Sequence, residues 1–359
     1  MAHDVVVLGA TIAGLTLARR LARRGFDVVV IDPNVEGRSA AVGHGVAAIG
    51  HASTVATMDH AYGPGVVQEH LVRNLAGMAA IRKLHPEATE VPLYDSSLPG
   101  GSSRETREVA RRFQEAGGVA EVVNGPDGAL VRTTALVLDP VAYAATLRAA
   151  AVKAGAQVVH GTTVTHLTRN EGATRIYFRS NIAWAREPGM ISGHAVVDTL
   201  GVSPWGRAAR IGPAQWVPVI NCRVPDPVAD VTLRDSATAW MVRPTSDDGI
   251  LVLGRKTTLS GIDGAVDELS AWVLDEFGAT DIVPGRLAID PSDHGRPVVG
   301  ASAIPGGFYA RGNGRGELMN GTASAHYLAG LIADPRSSGT ALPPTSQLRA
   351  FGMRRLRRR

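Results

Sequence analysis

Two short, unbroken apolar runs, Val5 to Leu8 and Val28 to Ile31, bracket a stretch of helical periodicity, and nothing else in the chain restricts its fold as tightly. Runs of this β-branched kind suit parallel strands covered on both faces. Between them Ile12, Leu15, Leu17, Ala18 and Leu21 recur near helical spacing. Arg19, Arg20, Arg23 and Arg24 turn toward water, and Gly25 ends the helix. Strand, helix and strand make a βαβ unit. Gly9 permits the tight turn out of the first strand, and Gly14 lets the helix lie close to the sheet. The helix start, at Ile12 and Ala13, offers free N–H groups that suit a pyrophosphate. Asp32, followed by Pro33, stands about 20 residues beyond the turn, where a carboxylate accepts hydrogen bonds from ribose hydroxyls. The second glycine of G-x-G-x-x-G is Thr11. Either the loop shifts and the hydroxyl donates to the phosphate, or the phosphate binds more weakly; a βαβ unit that has lost its ligand is the bland alternative.

At 359 residues the chain is long enough for two intimately joined domains. With 45% apolar and 19% charged residues its composition is that of an ordinary soluble globular protein, and no apolar run reaches membrane-spanning length. The first strand follows almost directly on Met1, leaving no room for a secretory signal, so a cytoplasmic location is expected. Cys222 is the single cysteine, which excludes an internal disulfide and a multi-cysteine metal site. The spacing of His44, His51 and His60 matches no metal motif, and no metal is expected. The net charge of +4 belongs to the end of the chain: residues 349–359 hold six arginines and no acid, and without them 31 basic residues face 33 acidic ones. Residues 341–359 are therefore expected to form a solvated, disordered tail, with no nucleic-acid or membrane partner.

The segment 36–50 is a loop of small residues directly after Asp32, where backbone can approach a flat ligand closely; the alternative is a flexible loop with His44 and His51 as structural residues. A helix is predicted from Gly65 to about His85, and Ser102-Ser-Arg-Glu105 resembles a capping box opening a helix that runs to Gly117. A strand at Ala135 to Leu138 precedes a helix over 141–154, with further strands at 157–160, 163–167, 175–178 and 194–197. From Asn221 to Leu253 polar turns join short strands as in an antiparallel sheet. A helix over 265–277 follows, and Arg296 to Ala333 returns to strand, glycine turn and helix.

Taken in order, these pieces resemble the FAD-dependent D-amino-acid oxidase superfamily, which includes glycine and sarcosine oxidases. The resemblance rests on the βαβ unit and on Arg38-Ser-Ala-Ala-Val-Gly43, which looks like the family's loop against the flavin. It also rests on Val137 to Leu147 with Ala154 to Leu167, on Val196 to Ser203, on the hairpin Arg243 to Gly254, and on Gly295 to Gly300 with Gly307 to Ala325. It implies an α/β fold: a Rossmann-type FAD domain from residues 1–85, 135–215 and 290–340, with an antiparallel-sheet α+β substrate domain from 86–134 and 216–289. Besides Gly9, Thr11 to Gly14, Asp32 and Pro33, it implies flavin contacts from Arg38, Ser39, Gly43, His44, Gly45, Val164 and Gly201. In the closing turn it implies them from Gly312, Asn313, Gly314, Gly316, Glu317 and Leu318. Cys222 lies away from the family's covalent attachment position, so non-covalent FAD is implied. The implied chemistry is oxidation of a small-molecule amine by hydride transfer to the flavin, with O2 or another acceptor taking the electrons. A flavin-dependent monooxygenase and a degenerate scaffold with weak or no FAD are the alternative functions.

The departures bear on the substrate. Family members acting on amino acids commonly place an arginine before the proline that precedes the final strand; here that position is Asp290. A bidentate arginine pair is worth roughly 1.5–3 kcal/mol, so its loss disfavours a plain amino acid. Asp290 suits a cationic amine, and Arg315 or Arg311 is available for an anion. Arg315, Asp290 and Tyr309 are the candidate catalytic side chains, with Tyr309 read as a core residue ahead of a catalytic one, and Asn313 stands where many relatives have a histidine.

Overall fold

The structure, a computed structural model, describes residues 2–35, 39–41, 43–98, 102–125, 128–170, 172–181, 188–200, 215–234, 238–245, 248–292, 294–302 and 305–333. Arg38, Gly201 and the arginine-rich tail lie outside the described residues. The chain divides into two compact units, one of Met1–Val42, Pro140–Gly212 and Arg296–Arg359, the other of Gly43–Asp139 and Pro213–Gly295.

In the first unit β1 (His3–Leu8), α1 (Ile12–Ala22) and β2 (Val28–Ile31) form the expected βαβ unit. β1 and β2 pair in parallel, Val5 with Val28 through Leu8 with Ile31. All four residues of β2 are buried, as are Val5 to Leu8, which explains their unbroken apolar character. α1 ends as read: Gly25 has φ +87°, and Phe26 N–H reaches back to the Leu21 carbonyl at 3.2 Å, closing the last turn. α5 (Pro140–Lys153) and β7 (Gln157–Val159) follow, β7 extending the parallel sheet beside β2. The strands β8 (Thr162–Asn170), β9 (Ala173–Ser180) and β10 (Pro188–Asp198) form an antiparallel excursion whose last strand returns in parallel beside β1. β16 (Val298–Ala301), β17 (Gly307–Arg311) and α7 (Glu317–Ala333) close the unit, β17 pairing with β10. The resulting order is β16-β17-β10-β1-β2-β7, so the last strand, β17, lies next but one to the first.

α7 packs on α1. A Cβ on Gly321 would come within 3.2 Å of the Ala13 nitrogen and of the Ile12 side chain, so a small residue keeps the two helices this close. Burial, with Arg20 and Arg19 nearby, pushes His326 of α7 down from 6.5 to about 4. The native protein then refuses a proton that the unfolded chain accepts. Stability is whole above pH ~6.5 and is expected to fall by about 1–3 kcal/mol as the pH drops toward the native value. Urea midpoints at pH 7.5 and pH 5 test this: His326→Gln should flatten the difference.

The second unit is built on a nine-stranded sheet, β15-β11-β14-β13-β12-β4-β6-β3 with β5 beside β6. Its strands are β3 (Val46–Ala48), β4 (Thr89–Ser96), β5 (Glu121–Gly125), β6 (Gly128–Val137), β11 (Gln215–Arg223), β12 (Val231–Arg234), β13 (Ala239–Pro244), β14 (Gly249–Gly254) and β15 (Thr280–Ile289). It is antiparallel except for one parallel pairing, β12 with β4. One face carries a core of Leu93, Val217, Trp240, Met241 and Leu253, and the other packs Ile220, Val242 and Val252 against Leu269 and Val273 of α6 (Ile262–Phe277). The helices α2 (Ala52–Tyr62), α3 (Pro64–Leu84) and α4 (Ser103–Glu115) complete it. Ser102 caps α4, its hydroxyl accepting from Glu105 N–H at 3.2 Å.

The contacts differ from the expected domain boundaries at four places. Residues 43–85, 135–139, 213–215 and 290–295, placed by sequence with the nucleotide-binding segments, cluster with the second unit. For the first two the reason is pairing: β3 joins β6 through Val46 with Val137 to Ala48 with Ala135, which draws both into one sheet.

Candidate functional site

The turn from β1 to α1 is built by exclusion of side chains. Gly9 has φ +110°, and its N–H donates to the Ile31 carbonyl at 2.7 Å. A Cβ on Gly14 would sit 2.0 Å from the Gly9 carbonyl oxygen. Thr11 is the N-cap of α1: its hydroxyl oxygen accepts from Gly14 N–H at 3.0 Å, while its own proton goes to the Thr199 hydroxyl at 2.9 Å. Thr199, after β10, donates in turn to the Leu8 carbonyl at 2.8 Å. The Thr11 hydroxyl is therefore engaged inside the turn, and the N–H groups of Ile12 and Ala13 are left as the open donors of the helix start. Thr11→Ala is expected to cost about 1–2 kcal/mol, as N-cap losses do, and Thr11→Gly only a few tenths. Chemical denaturation of the two variants measures the difference.

Asp32, at the end of β2, is fully buried. Its Oδ1 accepts from Ala10 N–H at 3.0 Å and from the Ser39 hydroxyl at 2.6 Å. Its Oδ2 is buried with no hydrogen-bond partner. A carboxylate oxygen without a donor is costly, and a ribose hydroxyl brought to this point would supply one. Pro33 contributes its carbonyl to Asn181 at 2.8 Å, which ties the chain after β2 to the end of β9. Val164 packs at the edge of the cluster of Val6, Leu8, Ile31 and Val196.

The closing turn meets the same region through α7. Gly312 and Gly314 have φ +71° and +58°, conformations that favour glycine. The Asn313 carbonyl accepts from the Asn320 side chain at 2.7 Å, and its own side-chain oxygen is buried with no partner. A Cβ on Gly316 would press on Asn320 at 3.0 Å. Arg315 is half-buried in the short 3-10 turn, Glu317 opens α7 and Leu318 is buried. Thr199 and Asn320, which orient the two turns, carry no motif; only their polarity beside a glycine turn marks them in the sequence.

Other predicted positions fall elsewhere. Tyr309, on β17, is 2% exposed and packs on Val298 in the core of the first unit. Gly43, His44, Gly45 and Asp290 belong to the second unit. There His44 is buried edge-on to Trp240 at 5.8 Å, and His51 lies 5.7 Å from the same ring. Asp290 follows β15 and is half-buried. A cavity of about 410 Å³ in this unit, lined by Val55, Asp59, His60, Glu105, Glu108 and Arg112 among others, holds none of the predicted residues. Among the described residues no His, Cys, Asp and Glu group is arranged to hold a metal, and no helix is long and apolar enough to cross a membrane.

A parallel sheet, a glycine turn into a helix and a buried acid with one open oxygen define a Rossmann-type dinucleotide-binding protein. The sequence profile of the family described as DAO, FAD dependent oxidoreductase, matches residues 4–331, and the chain belongs to that family. Among solved structures, glycine oxidase from Geobacillus kaustophilus is 15% identical, with a TM-score of 0.68 over 95% of this chain and 100% of that one. Iminodiacetate oxidase from Chelativorans sp. BNC1 is 19% identical, with a TM-score of 0.63 over 92% of this chain and 95% of that one. L-alpha-glycerophosphate oxidase from Mycoplasma pneumoniae, with FAD bound, is 12% identical, with a TM-score of 0.64 over 96% and 99%. No curated protein sequence matches the chain.

Proposed function

We propose that the chain is an FAD-dependent oxidoreductase that removes a hydride from a carbon bearing an amine, in an amine or amino-acid-like small molecule. The observation that carries the cofactor part of this reading is Asp32 Oδ2, a buried acceptor with no partner at the end of β2, in a chain of the FAD-dependent family. In this reading Asp32 would hold the adenosine ribose, the Ile12 and Ala13 N–H groups the pyrophosphate, and the backbone of Gly312 to Gly316 the ring system. FAD, when bound, would supply the hydride acceptor, with O2 or another acceptor taking the electrons. The protein's own task is to bind the substrate, aim its C–H bond and exclude water. The cofactor is held non-covalently: Cys222 is buried on β11 with Val252 and Leu269, and burial pushes its thiol up.

The amine class draws support from the relatives named for glycine and iminodiacetate, while the glycerophosphate oxidase, named for an alcohol, shows that the fold alone does not select nitrogen. The test is a visible spectrum of the purified protein with FAD added and the excess removed, followed by anaerobic addition of primary and secondary amines, amino acids and a polyol phosphate. Flavin bands that bleach with amines support the proposal. Bleaching by the polyol phosphate alone moves the substrate to CH–OH compounds, and a colourless protein indicates the scaffold reading.

A further inference from the structure

We propose that the groove between α2 and α4 is a binding site for a small organic cation, an ammonium or guanidinium group carried on a short aliphatic body. It lies wholly in the second unit and does not depend on the oxidoreductase reading. The two helices border a cavity of about 410 Å³, within the roughly 300–1,000 Å³ of small-molecule sites. Val55, Ala56 and Val109 give it apolar walls, and Pro64, the first residue of α3, stands beside it. Its charges sit at one-turn spacing: Asp59, four residues after Val55 on α2, and Glu105, Glu108 and Arg112 along one face of α4. Three carboxylates thus line the cavity together with one guanidinium.

Arg112 does not turn the groove toward anions. Its Nη2 donates to Asp59 Oδ2 at 3.1 Å and lies 2.9 Å from Glu108 Oε1, and its Nη1 lies 3.5 Å from Glu115 Oε2, so three acids already share this one cation. Its Nε is buried without an acceptor, but on a guanidinium shared in this way it adds no demand for an anion. Glu108 is held by Arg111 as well, and that hydrogen bond is the main reason its carboxyl stays below the usual range. Two acceptors are left over. Asp59 Oδ1 is buried with no hydrogen-bond partner, a costly state that a donor from a ligand would relieve. The exposed Glu105 carboxylate makes no hydrogen bond or ion pair among the described residues; only its backbone N–H is engaged, by Ser102. Ammonium and guanidinium groups bring several N–H donors and a full positive charge, which match an unpaired carboxylate oxygen. The apolar walls between α2 and α4 suit a hydrocarbon body, and the acids are not arranged as metal ligands, since no group among the described residues is placed to hold a metal ion.

The experiment is calorimetric titration of the full chain, with FAD added, using agmatine and butylamine as probes and 1-butanol and magnesium chloride as controls, for the wild type, Glu105→Gln and Asp59→Asn. Expected is binding of at least one amine by the wild type. Its affinity should fall about two- to five-fold in Glu105→Gln, where an exposed pair is lost, and about ten-fold or more in Asp59→Asn, where a buried one is. Neither control should bind in a way that depends on these two residues. Absence of amine binding, an amine affinity unchanged in both variants, or a control that binds with the same dependence overturns the proposal. Should Asp59→Asn not fold, Glu105→Gln alone decides, its carboxylate having no partner in the fold to lose. Amine binding that survives both substitutions defeats this inference and leaves the oxidoreductase reading standing, since that reading requires an amine site elsewhere. A protein that takes no FAD yet loses amine affinity at Asp59→Asn does the reverse.

Discussion

Gly14→Ala is expected to leave no soluble folded protein. The added Cβ would lie 2.0 Å from the Gly9 carbonyl oxygen, and the object it strikes is backbone. Gly9 cannot move aside: its φ of +110° is available to glycine alone at low cost, its N–H is held by Ile31, and the Leu200 and Thr199 side chains close the space above its Cα. Relief would require lifting α1 from the sheet, and α1 buries Ile12, Leu15, Leu17, Ala18 and Leu21. A loss beyond about 4 kcal/mol follows, against a total stability of the order of 5–15 kcal/mol for a folded protein. The same substitution at Gly330, in α7, meets nothing within 4 Å and is expected to add up to about 1 kcal/mol by raising helix propensity. Expression, solubility and urea denaturation of the two variants provide the comparison; a Gly14→Ala protein with a midpoint near the wild type would show that the turn is not as tight as described.

Asp32→Ala is expected to remove FAD binding at micromolar cofactor, and Asp32→Asn to weaken it about 10- to 100-fold. The two variants differ in what they leave behind. Asparagine retains an acceptor for the Ala10 N–H and the Ser39 hydroxyl but replaces the open oxygen by an NH2 group, so the charge-assisted bond to the ribose, worth about 1.5–3 kcal/mol, is lost. Alanine also strands the buried Ala10 N–H, at a further cost of about 1–3 kcal/mol in stability, and takes the acceptor from the part-buried Ser39 hydroxyl. Fluorescence titration with FAD separates the two effects from a thermal melt. Wild-type affinity in Asp32→Ala would refute the placement of the ribose.

Much of the first unit was readable in one dimension. The strand-helix-strand run is decided by residues within a few positions of one another: β-branched runs, an apolar stripe at helical spacing, Gly25 at the helix end, and Asp32 at the strand end. Such signals survive translation into structure because neighbours in sequence remain neighbours in space. The capping of α4 by Ser102 was legible for the same reason.

The remainder depended on partners far along the chain. Thr11 caps the helix through Gly14, three residues on, but where its hydroxyl proton goes is decided by Thr199, 188 residues away. The loop after Asp32 looked continuous with the nucleotide-binding segments, yet β3 within it pairs with β6 and moves to the second unit. The parallel pairing of β12 with β4 has no local signature at all. Arg243 reads as an ordinary charged residue before a proline, and only the pairing of β13 with β14 and the cluster beneath it take its guanidinium out of water. Local propensity and the requirement for glycine are written residue by residue. Burial, and with it the cost of an open oxygen on Asp32 or a buried charge on Arg243, exists only after distant strands have paired, since the desolvation of a group is a property of everything packed around it.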